Sequence, residues 1–137
     1  DDAARKELAA LKAQAKAERL EAQRKARVLI MATEKGKEYV GAVRTALEAQ
    51  GALKMPQESE LGLLKAQGRA DRTAKAAAKA RAEFSDSVTA AVKDHGKKAV
   101  DAALRQVLGP EYEAVKRTVQ VVQSLTKAIS QSKGCFR

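Results

Sequence analysis

The chain is poor in residues able to attack, exchange protons or hold a metal. His95 is its one histidine and Cys135 its one cysteine, and a nucleophile and base built from them would need these two distant positions within hydrogen-bond reach. His95 instead closes a run of helix formers just before Gly96, so its expected place is a helix C-terminus, where the negative end of the dipole favours a cation. One histidine, one cysteine and no clustered carboxylates cannot assemble a tetrahedral metal site. The glycines at 36, 41, 51, 62, 68, 96, 109 and 134 never take the GxxxxGK[ST] or GxGxxG spacing of a phosphate-cradling loop. The expectation is a non-catalytic protein with no metal and no cofactor.

What the spacing does support is electrostatic chemistry. Arg5, Lys12, Lys16, Arg19 and Arg27 recur at helical intervals, and Arg69, Arg72, Lys75, Lys79 and Arg81 form a second basic band relieved only by Asp71 and Glu83. With 27 Lys and Arg against 17 Asp and Glu, the formal charge is +10, which attracts polyanions: nucleic acid, anionic lipid or an acidic protein surface. A row of cations on one helical face neutralises successive phosphates and releases counterions without reading bases. Tyr39, Phe84, Tyr112 and Phe136 are too few for the stacking platform of a dedicated single-strand binder. The predicted partner is therefore nucleic acid held by its backbone in a sequence-tolerant way. A face kept charged for solubility alone is the plain alternative, and no RRM, KH, zinc-finger or helix-turn-helix signature is present.

The elements that must carry these residues are helices. Ala, Lys, Arg, Glu, Gln and Leu dominate while Gly, Pro and aromatics are scarce, so the fold class is all-α: a helical bundle with a long, partly projecting N-terminal helix and a compact C-terminal helical hairpin. Residues 1–35 read as a long basic amphipathic helix, a possible coiled-coil arm. Ala4, Leu8, Leu11, Ala15, Ala22 and Leu29 form its seam, interrupted by Glu18 and Lys25. Asp1 to Arg5, Asp2 to Lys6 and Glu21 to Lys25 are its expected ion pairs. Residues 36–137 read as the bundle, with helices at about 37–53, 59–95, 97–108 and 111–132. Gly36 is a stop signal that can also be read through, Pro56 marks the clearest loop, and Ser59 is a candidate cap. Ser85-Asp86-Ser87 can start a new helix or be passed over. Gly62 and Gly68, each costly in a helix interior, suggest close helix packing. Gly109-Pro110 ends one helix and starts the next, so that residues 97–132 make the tightest part of the fold.

The alternative function is a protein-protein adaptor or oligomerisation domain, with residues 3–30 pairing with another helix or a second copy. Membrane-surface association is a weaker third reading, because the apolar faces are mostly alanine. No stretch is long and apolar enough to span a bilayer, and the lone cysteine leaves no disulfide framework, so a soluble, cytoplasmic protein is expected. The opening Asp1-Asp2 without an initiator Met points to a piece of a longer polypeptide, with Met31 as a candidate internal start. In composition, though not in any motif, the Ala/Arg/Lys/Glu texture resembles accessory segments of bacterial nucleic-acid-processing proteins such as plasmid mobilisation factors. That resemblance implies a role within a larger DNA-processing or plasmid-transfer protein.

Overall fold

The structure, a computed structural model, describes residues 1–117, and these are helical with no strand among them. Helix α1 spans Asp2–Lys54, α2 spans Glu60–His95 and α3 spans Lys97–Leu108. A fourth helical run, α4, occupies 111–117, where the described residues end. The rest of the expected 111–132 helix and Cys135 lie outside the described residues.

Local chemistry explains the boundaries. Asp1 caps α1 by accepting from the Ala3 amide, and α1 ends where Met55, ahead of Pro56, turns extended. Ser59 caps α2 by accepting from the Gly62 amide at 3.0 Å, as the sequence suggested. Gly96 and Gly109 take positive φ values of 85° and 61°, so each supplies a reversal that a side chain would strain. The helix stop expected at Gly36 is absent: α1 runs through it. Glycine only weakens a helix interior, and tertiary packing outweighs that cost here. Ser85-Asp86-Ser87 is likewise passed over, with the Ser87 hydroxyl donating back to the Glu83 carbonyl.

Helices α1 and α2 form an antiparallel hairpin. Arg24 meets Asp94, Lys35 meets Glu83, and Gly36 meets Phe84, so positions fall along α1 as they rise along α2. Helix α3 returns alongside α1: His95 lies against Lys25 at one end, while Leu108 reaches Gly36 at the other. Helix α4 turns back on α3, with Tyr112 bonded to Asp101, and Arg105 to Glu113 at 2.6 Å. The start of the expected C-terminal hairpin is therefore in place. The core contains Ala32, Tyr39, Phe84, Ala91, Val100, Leu104, Leu108, Tyr112 and Val115, with the Tyr39 and Phe84 rings stacked at 5.9 Å. Gly62 and Gly68 are not the close-packing glycines. A Cβ at Gly62 would meet its own cap, Ser59, and one at Gly68 would meet the Arg72 side chain. Gly36 fills that role, since a Cβ there would lie 3.1 Å from Phe84 Cε1 and 3.3 Å from Leu108 Cδ1.

Two outcomes follow from this packing. Gly41, with nothing within 4 Å of an added Cβ, should gain about 0.5–1 kcal/mol on Gly41→Ala through helix propensity alone. Gly36→Ala should gain clearly less or lose stability, and Gly36→Val should cost roughly 1–3 kcal/mol by overpacking. Urea unfolding of the variants measures this, and equal gains at the two glycines would remove the three-helix contact from the account. Burial first, and then its bond to the Asp101 carboxylate, pushes Tyr112 up to about 12. A group raised on folding stabilises fully below its ordinary value, and that contribution is lost as pH rises through the folded value. Tyr112→Phe should therefore flatten the alkaline limb of the stability curve, as followed by circular dichroism.

Candidate nucleic-acid interface

The register of the hairpin decides which part of α1 has neighbours. Helix α2 ends beside Arg24 and Lys25, so residues 2–23 extend past it as a helical arm roughly 33 Å long at 1.5 Å per residue. Every residue from 1 to 24 is exposed. The root of the arm is clasped. The Arg24 guanidinium donates to both Asp94 oxygens, at 3.1 and 3.2 Å, and also holds Glu21 at 2.7 Å. His95 Nε2 lies 2.7 Å from the Lys25 carbonyl oxygen; a carbonyl can only accept, so this nitrogen carries the proton. His95 thus does sit at a helix end, and its ring spans the gap to α1. The hydrogen bonds from Arg24 hold the Asp94 carboxyl below its ordinary range, and the same guanidinium lowers Glu21.

All five predicted cations of the first stripe, Arg5, Lys12, Lys16, Arg19 and Arg27, are exposed, and none has a carboxylate partner among the described residues. The arm pairs expected from Asp1 to Arg5, Asp2 to Lys6 and Glu21 to Lys25 do not form; Glu21 turns to Arg24 instead. An exposed pair of this kind is worth little, so the alternative geometry costs almost nothing. Lysines and arginines at the helix contacts behave differently. Lys35 bridges Glu38 and Glu83, Arg44 holds Glu111, and Arg105 holds Asp101 and Glu113. Those cations tie helices together, while the stripe faces water.

The second band is narrower than the sequence suggested. Arg69, Arg72, Lys75 and Lys79 are exposed on one side of α2, with Lys75 alone paired, to Asp71 one turn earlier. Arg81 does not belong with them. It comes nine residues after Arg72, two and a half turns on, and therefore on the opposite side of the helix. There it is half-buried and lines an apolar groove of about 330 Å³ with Tyr39, Val43, Leu47 and Ala77. Lys65, exposed one turn before Arg69, takes its place on the band; its i, i+4 spacing was visible in the sequence. The two groups of cations are not brought together. Arg72 packs near the level of residue 47 of α1, so it stands roughly 40 Å along the hairpin from Arg19.

Folding adds cations that sequence spacing could not place. Lys93, Lys97 and Lys98 are exposed at the α2–α3 corner, which His95 fixes at the level of Lys25, at the arm root. Lys97 and Lys98 occupy the first turn of α3, which has no acidic residue and no side-chain cap. A helix N-terminus normally prefers anions, and two lysines there oppose the dipole. An external anion would satisfy both the lysines and the open amides.

Among the described residues no group of three or more His, Cys, Asp or Glu is placed to hold a metal ion, and no helix is long and apolar enough to cross a membrane. A second apolar groove of about 260 Å³ lies between α1 and α4, where its charged residues Arg44 and Glu111 are already bonded to each other. The clasp at the arm root should show in acid. Its depressed carboxylates stabilise fully above the ordinary carboxylate range, and that contribution disappears as pH falls through their lowered folded values. Asp94→Asn should therefore be less stable than the parent at neutral pH and should converge with it in strong acid, as read by thermal unfolding across the acid range. A constant difference at all pH values would contradict the assignment. No protein-family model, curated protein or solved structure matches the chain.

Proposed function

We propose that the protein binds nucleic acid through its phosphate backbone, with the arm stripe and the arm-root lysines as the main contact and the α2 band as a second. The observation that carries this reading is the division of labour among cations. Arg24, Lys35, Arg44 and Arg105, at the helix contacts, are held by carboxylates, whereas Arg5, Lys12, Lys16, Arg19, Arg27, Arg69, Arg72 and Lys79 are exposed and have no such partner among the described residues. A rod presenting five cations over roughly 33 Å matches about one turn of duplex in length, and binding of this kind is independent of sequence. A place within a larger bacterial DNA-processing or plasmid-transfer protein is consistent with such a retention role.

A second reading rests on a different observation. Leu8 and Leu11 on the arm are 53% and 63% exposed, so the apolar seam of residues 3–30 is unsatisfied over its first half. This favours an adaptor or oligomerisation role for the arm.

Fluorescence anisotropy of a labelled duplex, titrated with the protein at several salt concentrations, tests the first reading. Engagement of the five stripe cations gives a log-log salt slope of about −4 to −5. Replacing Lys12, Lys16 and Arg19 by Gln should reduce that slope by about 3 and weaken binding at low salt for every sequence alike. Arg81→Gln, on the wrong side of α2, should leave it unchanged. Absence of binding at low salt, or equal effects of the two sets, overturns the proposal.

A further inference from the structure

The seam of the arm is not a separate feature of α1. With Leu8, Ala15, Ala22 and Leu29 at the first core position of a heptad and Ala4, Leu11, Glu18 and Lys25 at the second, the same repeat continues without a break to Ala32, Gly36, Tyr39, Val43 and Ala46. In that second half the repeat is the buried line of α1: Ala32, Gly36, Tyr39 and Ala46 are buried, and Leu29 and Val43 pack against the core. In the first half, identical positions face water because α2 and α3 stop at the level of Lys25. Among the described residues, therefore, nothing covers three heptads of a core-facing stripe.

The residues flanking the seam indicate what belongs there. On one flank stand Arg5, Lys12 and Arg19, and on the other Glu7, Gln14 and Glu21. In a parallel pair of helices each flank meets the opposite flank of the partner, five residues further on, so Glu7 faces Lys12 of the second copy and Gln14 faces Arg19. In an antiparallel pair like flanks meet, and Arg5, Lys12 and Arg19 would face one another. We infer that the arm pairs in parallel with the arm of a second copy of this chain, forming a three-heptad zipper that ends at residue 24, where each bundle covers its own seam. The inference rests on the oligomerisation reading above and names its partner and orientation.

The zipper is weak by construction. Half its core positions are alanine, and Glu18 faces its own copy. Glu18→Leu should therefore tighten self-association at least tenfold, whereas Glu7→Lys, placing two lysines together, should weaken it about threefold or more, and Glu7→Lys with Lys12→Glu should restore it. Sedimentation equilibrium of the full chain over a wide concentration range reads these changes. Orientation is read by oxidative cross-linking in a Cys135→Ser background. Ala4→Cys and Ala22→Cys, about 27 Å apart along the helix, should each form a disulfide with its own kind if the arms are parallel. Disulfides only in a mixture of the two variants would overturn the parallel pairing and leave oligomerisation standing. A monomer at every concentration, Glu18→Leu included, would overturn both.

Discussion

The approach of Phe84 and Leu108 to the bare backbone at Gly36 is the contact on which the remaining geometry depends. A side chain there would push two helices off α1 at once, and interiors packed at crystal-like density have little room to absorb the shift. With the contact made, α1 and α2 are locked in one antiparallel register, α3 is seated alongside, and Arg24 arrives beside Asp94. The register then determines how much of α1 is left over. A 53-residue helix joined by a short loop to a 36-residue partner must leave its N-terminal end free, and the register at Gly36 fixes where that free length, with four of the five stripe cations, begins.

Charge is used in two ways along the same chain. Around the core, cations are spent on carboxylates that join one helix to another. Arg24 spans to α2, Lys35 to Glu83, and Arg44 to Glu111. Such bridges at the margin of a core contribute modestly in energy but are directional, and they fix the rotation of each helix about its axis. Away from the core most of the same residue types have no carboxylate partner among the described residues, Lys75 beside Asp71 being an exception. A chain with ten more cations than anions must leave positive side chains unmatched. Here they stand on the arm, along one side of α2 and at the uncapped start of α3.

The fold class and the projecting arm were legible in the sequence because both follow from composition and from a seam too poor in large apolar residues to bury itself. The loop at Pro56, the Ser59 cap and the Gly109-Pro110 turn were legible because each rests on a backbone restriction that a single residue type imposes. Gly36 was harder to read. As a local signal a glycine after Lys35 looks like a helix end, and only the neighbours it acquires, Phe84 and Leu108 from distant parts of the chain, explain why the helix continues. The same limit applies to Arg81, which periodicity counted into the basic band although its phase sets it on the groove side. It applies also to Lys97 and Lys98, whose place at the arm root depends on how α2 docks. Lys65 was missed for a smaller reason, since its spacing to Arg69 was available to be counted.

The arm's two proposed roles share side chains, and that couples them. Arg5, Lys12 and Arg19 flank the seam, while Lys16 and Arg27 point away from it. In a zipper Lys12 lies beside the partner's Glu7 and Arg19 beside its Gln14, so at Lys12 a phosphate would have to compete with a carboxylate already in place. Binding free energies are reciprocal, so whatever pairing costs polyanion affinity along that flank, polyanion binding costs pairing. Lys16, Arg27 and the arm-root lysines escape this opposition, because they lie off the seam and pairing brings two sets of them side by side. The net sign of the coupling therefore depends on whether phosphates sit mainly along the seam flank or on the outer face and root of the arm.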